Sequence, residues 1–366
     1  MTKKLLWLMM LAALLPGISC KHSSNTQQQP EMRTFTDMAG RQVQVPKQIH
    51  RVLGMSPMGT VFIYTLDPSV LAGWNYKPDP GERALLLPQY QDLPVLGGWF
   101  GKDNTGNMEK IMLAKPDVLI SMGDPQGKAQ AERVQAQTHI PVVILDGRLE
   151  ALPDTYAKAS ELIGSETRAK LLGDECAKTI QDVKEKVATI PEAKRRRYYY
   201  AEGPKGLETE PGGSMHSEAL NFAGGANVAS GVNSQPGYGH SPVSMEQVLR
   251  WNPEIIISGY DHNSTPGEFY TSVWKDSRWK HIQAVQHREV YETPQYPFCW
   301  IDRPPTVNRL IGIRWLAALF YPKLFPFDLR EETRHFYKTF YQIDLNDQQL
   351  NDILNAAERK PLEGNK

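Results

Sequence analysis

The chain has no excess charge of either sign: 41 Lys and Arg stand against 41 Asp and Glu in 366 residues. That balance leaves no global field to recruit nucleic acid or an anionic membrane surface, so any charged site must be local. Cysteine is scarce, with three residues at positions 20, 176 and 299. Paired-cysteine spacing, H-E-x-x-H and two histidines at i, i+4 on one helix are all missing, which removes the common sequence signatures of a zinc site. No P-loop is present, and the longest apolar run, Leu5 to Leu15, is too short to span a bilayer.

That run is instead the apolar region of an export signal. MTKKLLWLMMLAALLPGISC opens with two lysines, continues apolar and ends in small residues before Cys20. The ending resembles a bacterial lipobox, which implies lipidation of Cys20, although Gly17 stands where that pattern usually has Leu. Residues 1–20 are therefore read as a lipoprotein signal peptide and 21–33, polar and without an apolar face, as a flexible tether. Cys176 and Cys299 are expected as two separate small apolar residues.

A body of this length exceeds one ordinary core and implies two domains. From His50, RVLGM, SPMGTVFIYTLD and VLAGW read as strand, helix, strand, and DVLISMG and PVVILDG extend the series. Short apolar runs alternating with helical stretches indicate βα units and a mainly parallel sheet, giving a first α/β lobe over 34–150. Strands then stop. In SETRAKLLGDECAKTIQDVKEKVATIP, Leu171, Leu172, Cys176, Ile180, Val183 and Val187 recur at helical spacing after an N-cap candidate, Ser165. Twenty-odd helical residues make a rod of ~35 Å, so 151–191 is assigned as a rigid helical connector. A second α/β lobe over 192–345 opens with RRYYYAEG and includes the strands EIIISG and EVYETP and the helix YTSVWKDSRWKHIQAVQ. A helix over 305–320 buries Leu310, Ile313, Leu316, Ala317 and Phe320, and 346–366 forms a C-terminal helix and tail.

One phrase occurs twice. NMEKIMLAKPDVLIS (107–121) and SMEQVLRWNPEIIIS (244–258) align without a gap at an offset of 137, once in each lobe. Asn107 and Ser244 are N-cap residues, and Ser244 with Gln247 has the capping-box spacing. Glu109 and Glu246 fall in the first helical turn, where the helix dipole favours a carboxylate. Capping chemistry alone accounts for an acidic residue at both places, so a structural role and a partner-binding role both remain open on the residues themselves.

The opening TFTDMAGRQVQVPKQIHRVLGMSP, the two M-E-x-[IV] helices followed by KPDVLISMG or NPEIIISG, and the single helical connector resemble the bacterial solute-binding proteins that serve ABC importers for iron chelates and cobalamin. The resemblance covers about 34 to 345. It implies two lobes with mainly parallel sheets joined by one long rigid helix, a monomer outside the cytoplasm held to a membrane by its lipid, and delivery of ligand to a permease dimer with ATPase subunits. In that family one glutamate on each lobe meets permease arginines, and the matching positions are Glu109 and Glu246. GLETEPGGSMHSE and PFCWIDRPPTVNRLIGIRWLAALFYP look more like the iron-complex branch, so a ferric siderophore is the expected ligand, with no cofactor of the protein's own.

Ligands of open α/β lobes lie beyond the carboxyl ends of the strands. Those ends and the neighbouring loops supply Met55, Ser56, Trp74, Trp99, Arg148, Tyr200 with Glu202, His216, Tyr238, Tyr260, Tyr296, Trp300 and Arg303. An aromatic rim with a few cations suits a large chelate held by stacking, with Arg148 or Arg303 meeting its negative charge. Trp300 and Arg303 also have structural readings, in packing and in helix initiation. Haem or cobalamin capture on the same fold is the alternative. GMSPMG (54–59) gives a weaker one, a hydrolase acting on a chelate, but it is G-x-S-x-x-G rather than the nucleophile elbow G-x-S-x-G. The chain is therefore expected not to be an enzyme.

Overall fold

The computed structural model describes residues 31–100, 105–123, 128–233, 240–259, 267–355 and 357. The signal, Cys20 and most of the tether lie outside them. The first lobe opens with an antiparallel hairpin, β1 (Met32–Thr36) on β2 (Gln42–Pro46). Alternation buries Phe35, Val43 and Val45, and the turn closes on the Asp37 carboxylate, which accepts from the backbone N–H of Ala39 and Arg41 and from Arg41 Nε. Next, β3 (Val52–Gly54), β4 (Val118–Gly123) and β5 (Val142–Asp146) form a parallel sheet in sequence order. All five residues of β5 are buried, as expected where a parallel sheet is covered on both faces.

VLAGW does not extend this sheet as a regular strand. It makes single bridges, Val52 to Leu71 and Trp74 to Val95. Trp74 N–H donates to Pro94 O at 2.9 Å, and Pro94 has no N–H to return to the ladder.

The connector is the 23-residue helix Glu166–Ala188, preceded by the helix Leu152–Ile163. Between them Gly164 and Ser165 both take positive φ, 86° and 68°. Ser165 occupies the N-cap position but does not cap; its hydroxyl donates to Asp67 Oδ2 at 2.9 Å, so a tertiary partner outcompetes the helix end. Leu172, Cys176, Ile180, Val183 and Val187 are buried and Leu171 is exposed. Cys176 and Cys299 are buried free thiols.

The second lobe contains β6 (Arg197–Ala201), the two-residue strands β7 (Glu208–Thr209), β8 (Ala226–Asn227) and β9 (Ser241–Pro242), then β10 (Ile255–Ser258) and β11 (Val290–Glu292). Its parallel sheet has the order β11-β10-β6-β8, while β7 and β9 pair antiparallel. The segment expected as one helix over 270–286 is broken into Glu268–Val273, a short turn at Trp279–His281 and Gln283–Gln286. Asp276 interrupts it, accepting from Arg278 N–H at 2.9 Å through its own side chain. The helix expected over 305–320 runs Arg309–Phe320 with all five expected apolar residues buried.

Sequence-distant aromatics join the lobes. Trp74 lies 6.5 Å from Phe298, Phe298 6.4 Å from Tyr341, Tyr341 6.0 Å from Tyr64, and Tyr64 5.7 Å from Trp74. One apolar core thus runs from the first sheet through the connector to the terminal helices. Wide opening of the lobes would expose that core to water.

Candidate functional site: the junction between the lobes

At the junction, the carboxyl end of β5 faces the start of the short helix Glu218–Phe222. Leu149 N–H donates to Glu218 Oε1 at 3.0 Å, Glu218 Oε2 pairs with the fully buried Arg309, and Arg309 Nη2 donates to Gly147 O at 2.6 Å. Burial pushes the Arg309 guanidinium pKa down, against the opposing pull of Glu218. These bonds fasten residues 147–149 of the first lobe to the second.

Arg148 and His216 flank that fastening. Arg148 is 66% exposed, and its guanidinium lies against Asp146 at the end of β5. His216 is half-buried, with Nδ1 2.6 Å from Asp302 Oδ1. Burial lowers its pKa, but the adjacent Asp302 charge outweighs this and the net shift is upward. Asp302 is fully buried; burial raises its pKa, and the His216 and Arg303 charges overcome this to hold it below the usual carboxylate range.

Arg303 follows, with a backbone φ of 52°, an uncommon conformation for a non-glycine residue. Its side chain is 14% exposed; Nε donates to Glu202 Oε1 at 2.9 Å and Nη2 to Glu210 Oε1 at 2.5 Å. Burial opposes its charge, yet Asp302 and Glu202 raise its pKa overall. Arg303 also borders a crevice shared by the lobes, lined by Tyr76, Asp79 and Glu82 from the first and Tyr296, Phe298 and Cys299 from the second. Glu82 is buried, accepts from Tyr76 OH at 2.8 Å and has its pKa pushed up to about 7 by that burial.

The expected ligand residues divide in two. Ser56, Trp99, Arg148, His216, Tyr296 and Arg303 retain some exposure. Ser56 precedes the helix Pro57–Leu66 without capping it, and a Cβ on Gly147 would stand 2.6 Å from Met58 Sδ, so this helix start reaches the same junction. Met55, Trp74, Tyr200 and Trp300 are buried instead. Trp74 Nε1 donates to Tyr90 O at 2.8 Å, and Trp300 Nε1 to Tyr337 OH at 3.1 Å, so both indoles are satisfied within the core. Tyr238 and Tyr260 lie outside the described residues. Sequence reading passed over Glu82, Glu210 and the carboxylate role of Asp302. Glu82 carried a local signal in its capping box with Asp79, whereas the Arg303 partner of Glu210 and the His216 partner of Asp302 are distant in the chain.

Glu109 and Glu246 are exposed in the first turns of the helices Met108–Ala114 and Met245–Trp251. Among the described residues no cluster of His, Cys, Asp and Glu is arranged to hold a metal ion, and no helix is long and apolar enough to cross a membrane.

A family model described as periplasmic binding protein matches residues 88–297, more than half of the chain. The chain belongs to the periplasmic binding protein family. An ABC transporter solute-binding protein from Sulfurospirillum deleyianum is 32% identical, covering 88% of this chain and 99% of that one, with a TM-score of 0.80. The molybdate-binding protein MolA of Haemophilus influenzae is 27% identical over 91% of this chain and 97% of its own length. A TroA-like periplasmic binding protein, FepB from Veillonella parvula, shares the fold at 22% identity and a TM-score of 0.66, over 86% and 97% of the two chains. This periplasmic binding protein is accordingly a solute-binding component of an ABC importer, in a family of binders and not of enzymes.

Proposed function

We propose that the protein captures a compact metal oxyanion of the molybdate class at the lobe junction and delivers it to a permease that docks on Glu109 and Glu246. The observation that carries this reading is the division of the expected rim. The indoles of Trp74 and Trp300, two expected stacking groups, are satisfied inside the core, whereas the exposed Arg148, the half-buried His216 and the start of the helix Pro57–Leu66 stand at the junction. Cationic and N–H donors suit a small anion better than a broad aromatic face. The relationship to a molybdate-binding protein supports the same choice. Anchoring through a lipid on Cys20 completes the proposal, with the tether from residue 21 giving reach from the membrane.

A ferric siderophore is the second reading, favoured by Trp99 and Tyr296, two aromatic residues that stay partly exposed. Calorimetry and thermal unfolding with molybdate, sulfate, ferric siderophores, haem and cobalamin separate the two. Molybdate at 100 times its dissociation constant should stabilise the protein by about 2.7 kcal/mol, and Arg148→Ala should weaken it about tenfold or more. Stabilisation by a siderophore and none by molybdate would overturn the first reading in favour of the second.

A further inference from the structure

Three carboxylates that are wholly buried, Glu202, Glu210 and Asp302, surround the one guanidinium of Arg303. They differ in the donors each receives. Glu210 is saturated: Oε1 accepts from Arg303 Nη2 at 2.5 Å and from His240 N–H at 3.0 Å, and Oε2 accepts from Ser214 Oγ at 2.8 Å. Asp302 has His216 at 2.6 Å on Oδ1, with Arg303 Nε 3.4 Å from Oδ2. Glu202 has Arg303 Nε at 2.9 Å on Oε1, and its buried Oε2 has no hydrogen-bond partner.

Charge counting points the same way. Three carboxylates against Arg303 leave at least one negative charge in a buried place even when His216 is protonated, and a proton on a carboxylate lessens that charge. Two carboxylate oxygens lack a donor, Glu202 Oε2 and Asp302 Oδ2. Asp302 has two cationic groups beside it, His216 and Arg303, whereas Glu202 is hydrogen-bonded to Arg303 alone, so the proton costs least on Glu202 Oε2. The other titratable groups around Glu202 do not replace it. His240 Nδ1 is 4.0 Å away but only 2.9 Å from Glu208, while Tyr199 and Tyr200 are buried phenols whose pKa values burial drives upward. Burial, with the Arg303 charge opposing it, pushes the Glu202 pKa up to about 8.

Arg303 shares Asp302 with His216, and its Nε and Nη2 are already engaged by carboxylates, so an anion captured beside His216 meets a cation that its own neighbours have neutralised. We propose that Glu202 holds a proton in the resting protein, and that above the pH at which it loses this proton it takes one from solvent as the junction captures its anion. Neutral Glu202 leaves Arg303 a larger share of its charge for the ligand, and the bound anion in turn raises the proton affinity of Glu202. The inference rests on the oxyanion reading for the nature of the ligand. Glu202 acts through Arg303 and is a positioning residue.

Two measurements test it. Infrared spectra of the ligand-free Glu82→Gln protein with isotopically labelled glutamate at pH 7 should show a protonated carboxyl band that adding Glu202→Gln removes. The background substitution is needed because the buried Glu82 carboxyl, with a pKa of about 7, would add a band of its own. Absence of that band, or its persistence in the variant, overturns the assignment whatever molybdate does. Molybdate affinity should be level up to pH about 8 and then fall by as much as about tenfold per pH unit toward pH 9.5. Calorimetry at pH 9 in buffers of different ionisation enthalpy should show proton uptake approaching one per anion. Glu202→Gln should abolish both the slope and the uptake. A slope unchanged in Glu202→Gln would assign the linkage to His216 or His240 and sink the proposal, as would a flat wild-type profile. With the band present and molybdate not binding at all, the buried proton stands while the oxyanion reading and the coupling built on it fall.

Discussion

The two copies of the repeated phrase fold alike and present different surfaces. In each, the N-cap side chain accepts from the backbone three residues on, Asn107 from Lys110 at 3.0 Å and Ser244 from Gln247 at 3.2 Å. Each helix ends on a left-handed residue, Lys115 at φ 48° and Asn252 at φ 44°, followed by a buried proline and a parallel strand. Ile111 and Val248 occupy the same buried place. Yet Met108 is 39% exposed where Met245 is 6%, and the exposed Leu113 is matched by Arg250. The second copy buries its methionine in the cluster that includes Tyr199, Phe269 and Trp279. Glu246 also differs: its own backbone N–H, the Ser244 hydroxyl and the Arg278 charge lower its pKa. The two copies share a backbone and differ in the surface each lobe presents.

If the shared feature of the copies is permease docking, removing it should have the largest effect. Glu109→Ala with Glu246→Ala should reduce uptake in cells at least about tenfold, because paired charges fix register on a partner more than they stabilise either lobe. Purified double variant should bind ligand with unchanged affinity. Uptake at the wild-type rate, with normal expression, would leave the carboxylates as helix-dipole partners only.

The unshared feature comes next. Met245→Ala removes a buried side chain and should cost about 2–5 kcal/mol, whereas Met108→Ala, at the same place in the first copy, should stay within about 0.5 kcal/mol. Urea unfolding of both variants measures the contrast. Equal costs would mean that the first helix is covered as fully as the second.

These contrasts mark what the sequence made legible. Local chemistry was readable: both N-caps, the connector's apolar stripe and the burial of Leu310, Ile313 and Leu316 follow from spacing alone. The hairpin β1–β2 was missed although its alternation and the DMAG turn were visible, because a parallel series drew attention from a short antiparallel pair. Failures arose where a distant partner decides. Ser165 leaves its helix for Asp67, Trp74 points into an aromatic cluster assembled from both ends of the chain, and Trp300 packs on Trp315 and Tyr337. Position at a strand end says where a residue is, not whether its side chain turns toward the cleft or the core. Arg303 was singled out for its charge and Asp302 is its sequence neighbour, but Glu202 and Glu210 lie 101 and 93 residues away, and no spacing rule reaches that far.

Removing each cap tests whether the copies remain energetically alike where they look alike. Asn107→Ala and Ser244→Ala should each cost about 1 kcal/mol, and a difference of more than about twofold between them would show that tertiary packing, not the cap, holds one helix.

The smallest effect concerns the left-handed residues that end the two helices. Glycine adopts positive φ without a Cβ penalty, whereas asparagine tolerates it better than lysine. Lys115→Gly should therefore stabilise the first lobe by up to about 1 kcal/mol, offset in part by the greater freedom of glycine in the unfolded chain. Asn252→Gly, starting from a residue already suited to the conformation, should gain less. Thermal unfolding of the two variants reads the difference directly. A larger gain at Asn252 than at Lys115 would mean that the Asn252 side chain, which accepts from Gln283 N–H at 2.8 Å, contributes less than its geometry implies.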